Sequence, residues 1–346
     1  MMKLFMRNQL KPFFKKPQFS FVIVGIILVV IRFMVGFLPP DIYGAIVTTA
    51  YYYLAGLGFA LLLGYGGLAS LGTGAFVGIG AFSLHYVYRF MEMPLLIAIA
   101  VGILLSIVVS IAFGFVSLRI AGMYLAIVTM GLSQIVIEII RNIPQYASGT
   151  TGGFLAGGPP RPLEFLGMRL DANSALLFTA FFVVIGMMIV YNLIHSATGR
   201  ALLSIKNSET AAQTMGISLM KYRLFAFVIS GVYGTLAGVL SMLFVRNGNV
   251  SQIGLTFALN ILAAVVIGGT KSIWGIMLGT FVIFGLNLAV FQRFNLGNYS
   301  LIINGILIIL VVMYYPGGLI QLFGDIKRIV KKQISRIRER IYGTES

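Results

Sequence analysis

A chain of 346 residues that is 59% hydrophobic and only 10% charged, with mean hydropathy +0.98, is an integral membrane protein, because soluble domains carry roughly 25% charged and about 45–50% apolar residues. The net charge of +16 argues against a nucleic-acid role, since the basic residues gather at the two ends and in short loops, as membrane topology requires. With no cysteine and two isolated histidines, the sequence offers no disulfide framework, thiolate chemistry or metal cluster.

Residues 1–18 form a basic N-terminus carrying Lys3, Arg7, Lys11, Lys15 and Lys16. The apolar run that follows is too long for a secretory h-region and lacks a small-residue cleavage site, so it reads as a retained first helix. A spanning helix needs roughly 20 apolar residues. Candidates are Phe19–Leu38, Ile42–Leu63, Leu68–Tyr88, Pro94–Leu118, Ala121–Ile140, Ser174–His195, Leu224–Val245, Phe257–Gly268, Ile273–Phe291 and Tyr299–Tyr315. The third is glycine-laden and the eighth short, so either is open to being a broken or re-entrant segment. The expected fold is an all-α integral membrane protein with about ten transmembrane helices in a domain covering 19–315.

Ten spans place both termini on one side. That side collects the N-terminal basic residues, Arg119, Arg200, Lys206, Lys221, Arg223, Lys271 and seven Lys and Arg between 327 and 340. The other side keeps Arg89, Arg141, Arg161, Arg169, Arg246 and Arg293. The bias predicts cytoplasmic termini. It makes 141–173, with Gly149-Thr150-Thr151-Gly152-Gly153 and Gly157-Gly158-Pro159-Pro160, an extracytoplasmic loop without long regular structure, and 196–223 a cytoplasmic one. Within the basic tail, 316–346, the stretch Ile326–Tyr342 repeats Ile326, Ile329, Val330, Ile334, Ile337 and Ile341 at helical spacing and reads as a basic amphipathic helix on anionic lipid.

Nothing resembles a catalytic centre. Gly268-Gly269-Thr270-Lys271-Ser272 lacks the spacing that lets backbone amides cradle phosphates, so any ATP hydrolysis is expected on another chain. Of the Asp, Glu, Lys and Arg residues, only Arg32 and Glu138 fall within the spans. Arg32 is placed to snorkel, and Glu138 to pair with Arg141 at i, i+3. His195, at the inner end of the sixth span, reads as an interfacial structural residue. Tyr51-Tyr52-Tyr53 cannot all face one side of a helix.

Between Gly64 and Gly80, seven of seventeen residues are glycine. Two readings stay open there: tight helix packing, or a broken helix offering backbone groups to a polar solute. For the later Gly234/Gly238 and Gly275/Gly279 pairs packing is favoured. A faint echo links Ser70–Gly78 with Ser272–Gly279, an arrangement that admits inverted-repeat halves. The stretch Gly199–Arg223 stands apart, as a water-facing segment with helix formers, small residues, one acid and a Gly-Ile stop. It is expected to touch a soluble partner.

Several of these stretches together resemble the LivM-type permease subunit of branched-chain amino acid ABC importers. They are Gly64–Gly72 with Phe76–Ala81, Tyr124–Gly131, Thr151-Gly152-Gly153, Gly199–Gly238, and Gly268-Gly269 with Ser272, Trp274-Gly275 and Gly279. The pattern departs from the family at Met123 and Gln134, where acidic residues are expected, and at Lys271 and Ile276, which replace Gly and Pro.

The resemblance implies an inner-membrane permease that translocates branched-chain or related small amino acids. It implies a second, LivH-like permease, two ATPase subunits carrying ATP and Mg, and an extracytoplasmic substrate-binding protein, with no cofactor on this chain. Urea or short-chain amides are the alternative substrates. A self-contained ion-coupled carrier or channel, or a membrane scaffold, are the alternatives from other classes. Gly199, Arg200, Glu209, Ala211, Ala212 and Gly216 match the family's ATPase-coupling loop, with Leu202, Leu203 and Ile205 as apolar anchors. Gly66, Gly67, Ser70, Gly72, Gly74, Gly78 and Thr129 are the candidates for the translocation path.

Overall fold

The computed structural model describes residues 17–34, 36–118, 124–143, 153–155, 164–165, 168–169, 172–249, 253–291, 293–294, 299–315, 317–322 and 325. The basic N-terminus, Arg119, Met123, most of the 141–173 loop including Thr151-Gly152, and the expected tail helix lie outside those residues.

Helix α1 (Pro17–Phe33) is followed by α2 (Pro40–Ala60), which starts with a proline in its first turn, where a missing N–H is harmless. It runs on as a π-helical turn to Tyr65. Next come α3 (Thr73–Ser83), prolonged π-helically to Phe90, then α4 (Leu95–Ser117), α5 (Tyr124–Arg141) and α6 (Ala172–His195). Two short helices, α7 (Ala197–Asn207) and α8 (Glu209–Thr214), precede the long α9 (Leu219–Val245). The chain continues through α10 (Leu255–Gly268), α11 (Ile273–Thr280) with π-helical turns to Phe291, and α12 (Ser300–Tyr314).

A helix falls within each apolar segment read from the sequence. Pro40–Tyr65, Leu95–Ser117, Tyr124–Arg141, Ser174–His195, Leu219–Val245 and Ile273–Phe291 are long and apolar enough to cross a membrane, and three shorter apolar helices accompany them. The protein is an all-α, multi-pass membrane protein. Three boundaries differ from expectation by five residues: the first helix ends at Phe33 and not at Leu38, the helix read from Leu224 begins at Leu219, and the third helix begins at Thr73 and not at Leu68. Gly67, at φ +68°, turns the chain into the left-handed region that stops a helix, and residues 66–72 run without helical structure.

Helix α2 is the centre of the bundle, packed against α9, α6, α10 and α11. Tyr53, Leu54, Leu57, Phe59 and Leu61 are buried on it. Around it the soluble pattern is inverted. Helix α4 exposes Leu104, Val108, Ile111 and Phe115 and turns Gly102, Ser106, Ser110 and Gly114 inward. Large apolar groups facing lipid cost nothing, whereas small inward residues let backbones approach and gain dispersion contacts. A Cβ on Gly80 would strike the Thr235 carbonyl, and one on Gly238 the Val77 carbonyl. Gly268 and Gly275 stand in the same relation to each other, and Gly279 to the Ala264 carbonyl. Gly234/Gly238 and Gly275/Gly279 are therefore packing pairs.

The loops that share a side in the charge count meet in space. At one end β1 (Gly153–Leu155) pairs antiparallel with β4 (Asn247–Asn249), Gly153 opposite Asn249. There, too, β2 (Glu164–Phe165) pairs with β3 (Met168–Arg169), and the Glu164 N–H donates to Tyr88 Oη at 2.7 Å. At the other end the α7–α8 segment reaches the end of α2, and Tyr65 Oη donates to the Lys271 carbonyl at 3.3 Å.

Candidate functional site

Each half of the α7–α8 segment is started by a serine. The Ser196 hydroxyl accepts from the Gly199 N–H at 3.4 Å and donates to the Leu193 carbonyl at 2.6 Å; the Ser208 hydroxyl accepts from the Ala211 N–H at 3.3 Å. Such side-chain caps satisfy amides that a helix start leaves open. The segment stops at Gly216, φ +77°. The Gly216 N–H donates to the Gln213 carbonyl at 2.9 Å and the Ile217 N–H to the Ala212 carbonyl at 3.0 Å. Those two bonds are the Schellman arrangement that closes a helix with glycine.

Two faces result. Ala201, Leu202, Ile205 and Ala212 are buried inside this chain, so Leu202 and Ile205 anchor the segment to its own bundle. Ala212, expected against a partner, is 1% exposed and packs inward; Gly199 is also inward, against the Ile194 backbone. The apolar face of a loop helix is satisfied by the nearest apolar surface, which here is the chain's own. Arg200, Glu209, Ala211 and Gly216 remain exposed. Arg200 donates through Nη1 to the His195 carbonyl at 3.2 Å. Glu209 forms an ion pair with Arg223, a buried residue at the start of α9, which ties α8 to the bundle.

Two residues the sequence reading left out of this site enter it. Met215 is 80% exposed at the tip of α8, its only sequence signal being a methionine directly before the glycine stop. Lys206 donates to the Leu63 and Gly64 carbonyls at 3.1 and 2.8 Å. Burial, and secondarily the neighbouring Lys271, push its pKa below the ordinary lysine value.

The path candidates lie mostly inside the chain. Thr129 is 2% exposed; its Oγ1 accepts the Leu71 N–H at 3.0 Å and donates to the Ala126 carbonyl at 3.1 Å. Ser70 is buried and caps the Gly72 N–H at 3.2 Å. Gly74 faces the Ile253 carbonyl and Gly78 the Ile253 side chain. Gly66 and Gly72 are buried, whereas Gly67 is exposed. Thr129 thus holds the non-helical stretch 66–72 against α5, and Gly74 and Gly78 let α3 approach the residues just before α10. Tyr52, from the tyrosine triplet, packs edge-on against Phe257 and tilted against Phe284 at 4.9 and 4.6 Å between ring centroids, while Tyr53 Oη donates to the Ile273 carbonyl at 3.1 Å. Glu138 and Arg141 pair at 2.8 Å, as their spacing predicts. His195 Nδ1 lies 2.7 Å from the Tyr191 carbonyl with its ring against Tyr191, and the Arg32 guanidinium sits 5.7 Å from the centre of the Phe33 ring.

A family model described as the permease component of the branched-chain amino acid transport system matches residues 42–312. The chain belongs to that family. It is a LivM-type ABC permease chain. It is 29% identical over 294 residues to the high-affinity branched-chain amino acid transport system permease protein LivM of Salmonella typhimurium, covering 79% of this chain and 68% of that one. The Escherichia coli LivM protein is 28% identical over the same shares. A probable branched-chain amino acid transport permease protein, LivH, of Methanocaldococcus jannaschii is 28% identical over 61% of this chain and 66% of its own length.

Proposed function

We propose that the chain is the permease subunit of an ATP-driven importer, carrying branched-chain or related small amino acids across the cytoplasmic membrane from an extracytoplasmic binding protein. It crosses the membrane ten times with both termini in the cytoplasm, and ATP is bound with Mg and hydrolysed on two separate ATPase subunits. Its permease partner is a LivH-like chain, since relatives named LivM and LivH both match it. The transport path runs along the face the two permeases share, near the 66–72 stretch.

The observation that carries the reading is the α7–α8 segment. It is a doubly capped, glycine-terminated pair of short helices, anchored by Leu202, Ile205 and Ala212 and presenting Thr210, Ala211, Gln213, Thr214 and Met215 outward. A short helix with one face fixed and one face bare suits docking in a groove of a soluble partner. The test is co-purification with the ATPase subunits. Met215→Asp together with Ala211→Glu, both on the exposed face, abolishes association while the permease remains folded. Intact association removes the docking reading. Uptake by the reconstituted chain alone, without ATP or a binding protein, establishes a self-contained carrier instead.

A further inference from the structure

A helix leaves its last four carbonyls without partners in its own ladder, and they carry partial negative charge. At the end of α2 each carbonyl from Leu61 to Gly64 has an acceptor role. The Gly66 and Leu68 N–H groups donate to Leu61 and Leu62, both at 3.1 Å. Leu63 and Gly64 accept instead from one ammonium, that of Lys206, from 142 residues further along the chain. The lysine stem lies over Gly67. A Cβ there would come within 3.1 Å of Lys206 Cγ, and the backbone at φ +68° is one that side chains rarely adopt. Gly67 thus makes the turn and leaves room for the stem.

The two ends of this contact are unequal. Helix α2 is the most enclosed of the described spans. Lys206 is in the last turn of α7, two residues from the Ser208 that caps α8. Leu202 and Ile205 pack α7 against the bundle, and the Lys206 ammonium on its four-carbon stem adds a polar link that keeps its bonds through small displacements.

We propose that Lys206 is a positioning residue that links the α7–α8 segment to the end of α2 and to the 66–72 stretch behind it, so that movement of α7–α8 reaches the core of the bundle. The proposal rests on the reading of α7–α8 as the ATPase-docking segment. It differs from a plain helix cap in what its loss does. Removing a cap lowers stability; removing this strut separates hydrolysis from transport while the ATPase stays bound.

The experiment uses the full transporter with its ATPase, second permease and binding protein in proteoliposomes. It compares wild type with Lys206→Met, which keeps the stem and removes the donors, and Lys206→Arg, which keeps a cation. Three quantities are read: ATPase association, the unfolding midpoint, and ATP hydrolysed per solute taken up. Lys206→Met is expected to associate normally and to raise ATP per solute about fivefold or more, the range of an ordinary coupling energy, with Lys206→Arg in between. An unchanged ratio in Lys206→Met overturns the proposal. So does a fall in midpoint and association together that Lys206→Arg fully reverses, which is the behaviour of a cap. Failure of the wild-type chain to bind an ATPase is a different result, and removes the docking reading along with the strut.

Discussion

Gly216 allows a backbone cost to be separated from a steric one. It sits at φ +77° with no atom within 4 Å of where a Cβ would be, so alanine meets no clash there. An L-residue in the left-handed region costs about 1–2 kcal/mol, and about 0.4–1 kcal/mol of that is returned by the stiffer unfolded chain. Gly216→Ala is therefore expected to destabilise the end of α8 by about 1 kcal/mol, close to a fivefold loss in the population of the closed turn. Asparagine tolerates this region better, and Gly216→Asn is expected to lose less than half as much. Hydrogen exchange at Gly216 and Ile217, whose N–H groups donate to Gln213 and Ala212, reports the turn directly, and affinity for the ATPase should fall in the same order. The global unfolding midpoint should not move, because α8 frays locally. Equal effects of Ala and Asn would refute the reasoning and assign the requirement to space in a partner. No effect of either would show that the turn does not control the helix.

Glu209→Gln leaves the Arg223 guanidinium, 9% exposed, without its carboxylate. With Glu209 half exposed, the loss should fall between that of a surface pair and a buried one, about 1–2 kcal/mol, and Glu209→Gln with Arg223→Met should recover most of it in unfolding midpoints. Thr129→Val keeps the volume but removes the acceptor of the Leu71 N–H, and is expected to cost about 1–2 kcal/mol, appearing as faster exchange at Leu71. Gly238→Val drives a side chain into the Val77 backbone and should cost about 3 kcal/mol with reduced folded yield. Gly305→Val, at a site with nothing within 4 Å, should be neutral in the same assay.

Much of this molecule is legible along the chain because lipid simplifies the problem. With no water to satisfy the backbone, a long apolar run has to become a helix, and each such run contains one. Local chemistry was equally readable where partners are a turn apart. The Glu138–Arg141 pair and the glycine stop at Gly216 follow from spacing alone, and the Gly234/Gly238 and Gly275/Gly279 pairs pack as small residues at that interval do. The start of the third helix was misplaced by five residues, from Leu68 to Thr73. Apolar character persists through 66–72, while the left-handed turn at Gly67 that breaks the helix leaves no hydropathy signal.

Composition and periodicity alone determined that the chain lives in a membrane, where its apolar helices lie, and that one water-facing segment of helix formers ends on a glycine stop; that this segment is two capped helices is a structural finding. Tertiary structure decided which side of that segment is free. In sequence Ala211 and Ala212 read as coupling-loop residues with Leu202, Leu203 and Ile205 as apolar anchors, yet Ala212, Leu202 and Ile205 face the chain's own bundle and leave Met215 as the large exposed apolar group. It also decided that Lys206, a loop charge in the sequence, ends on the carbonyls of α2. Periodicity states which residues share a face; what covers that face is set by segments more than a hundred residues away.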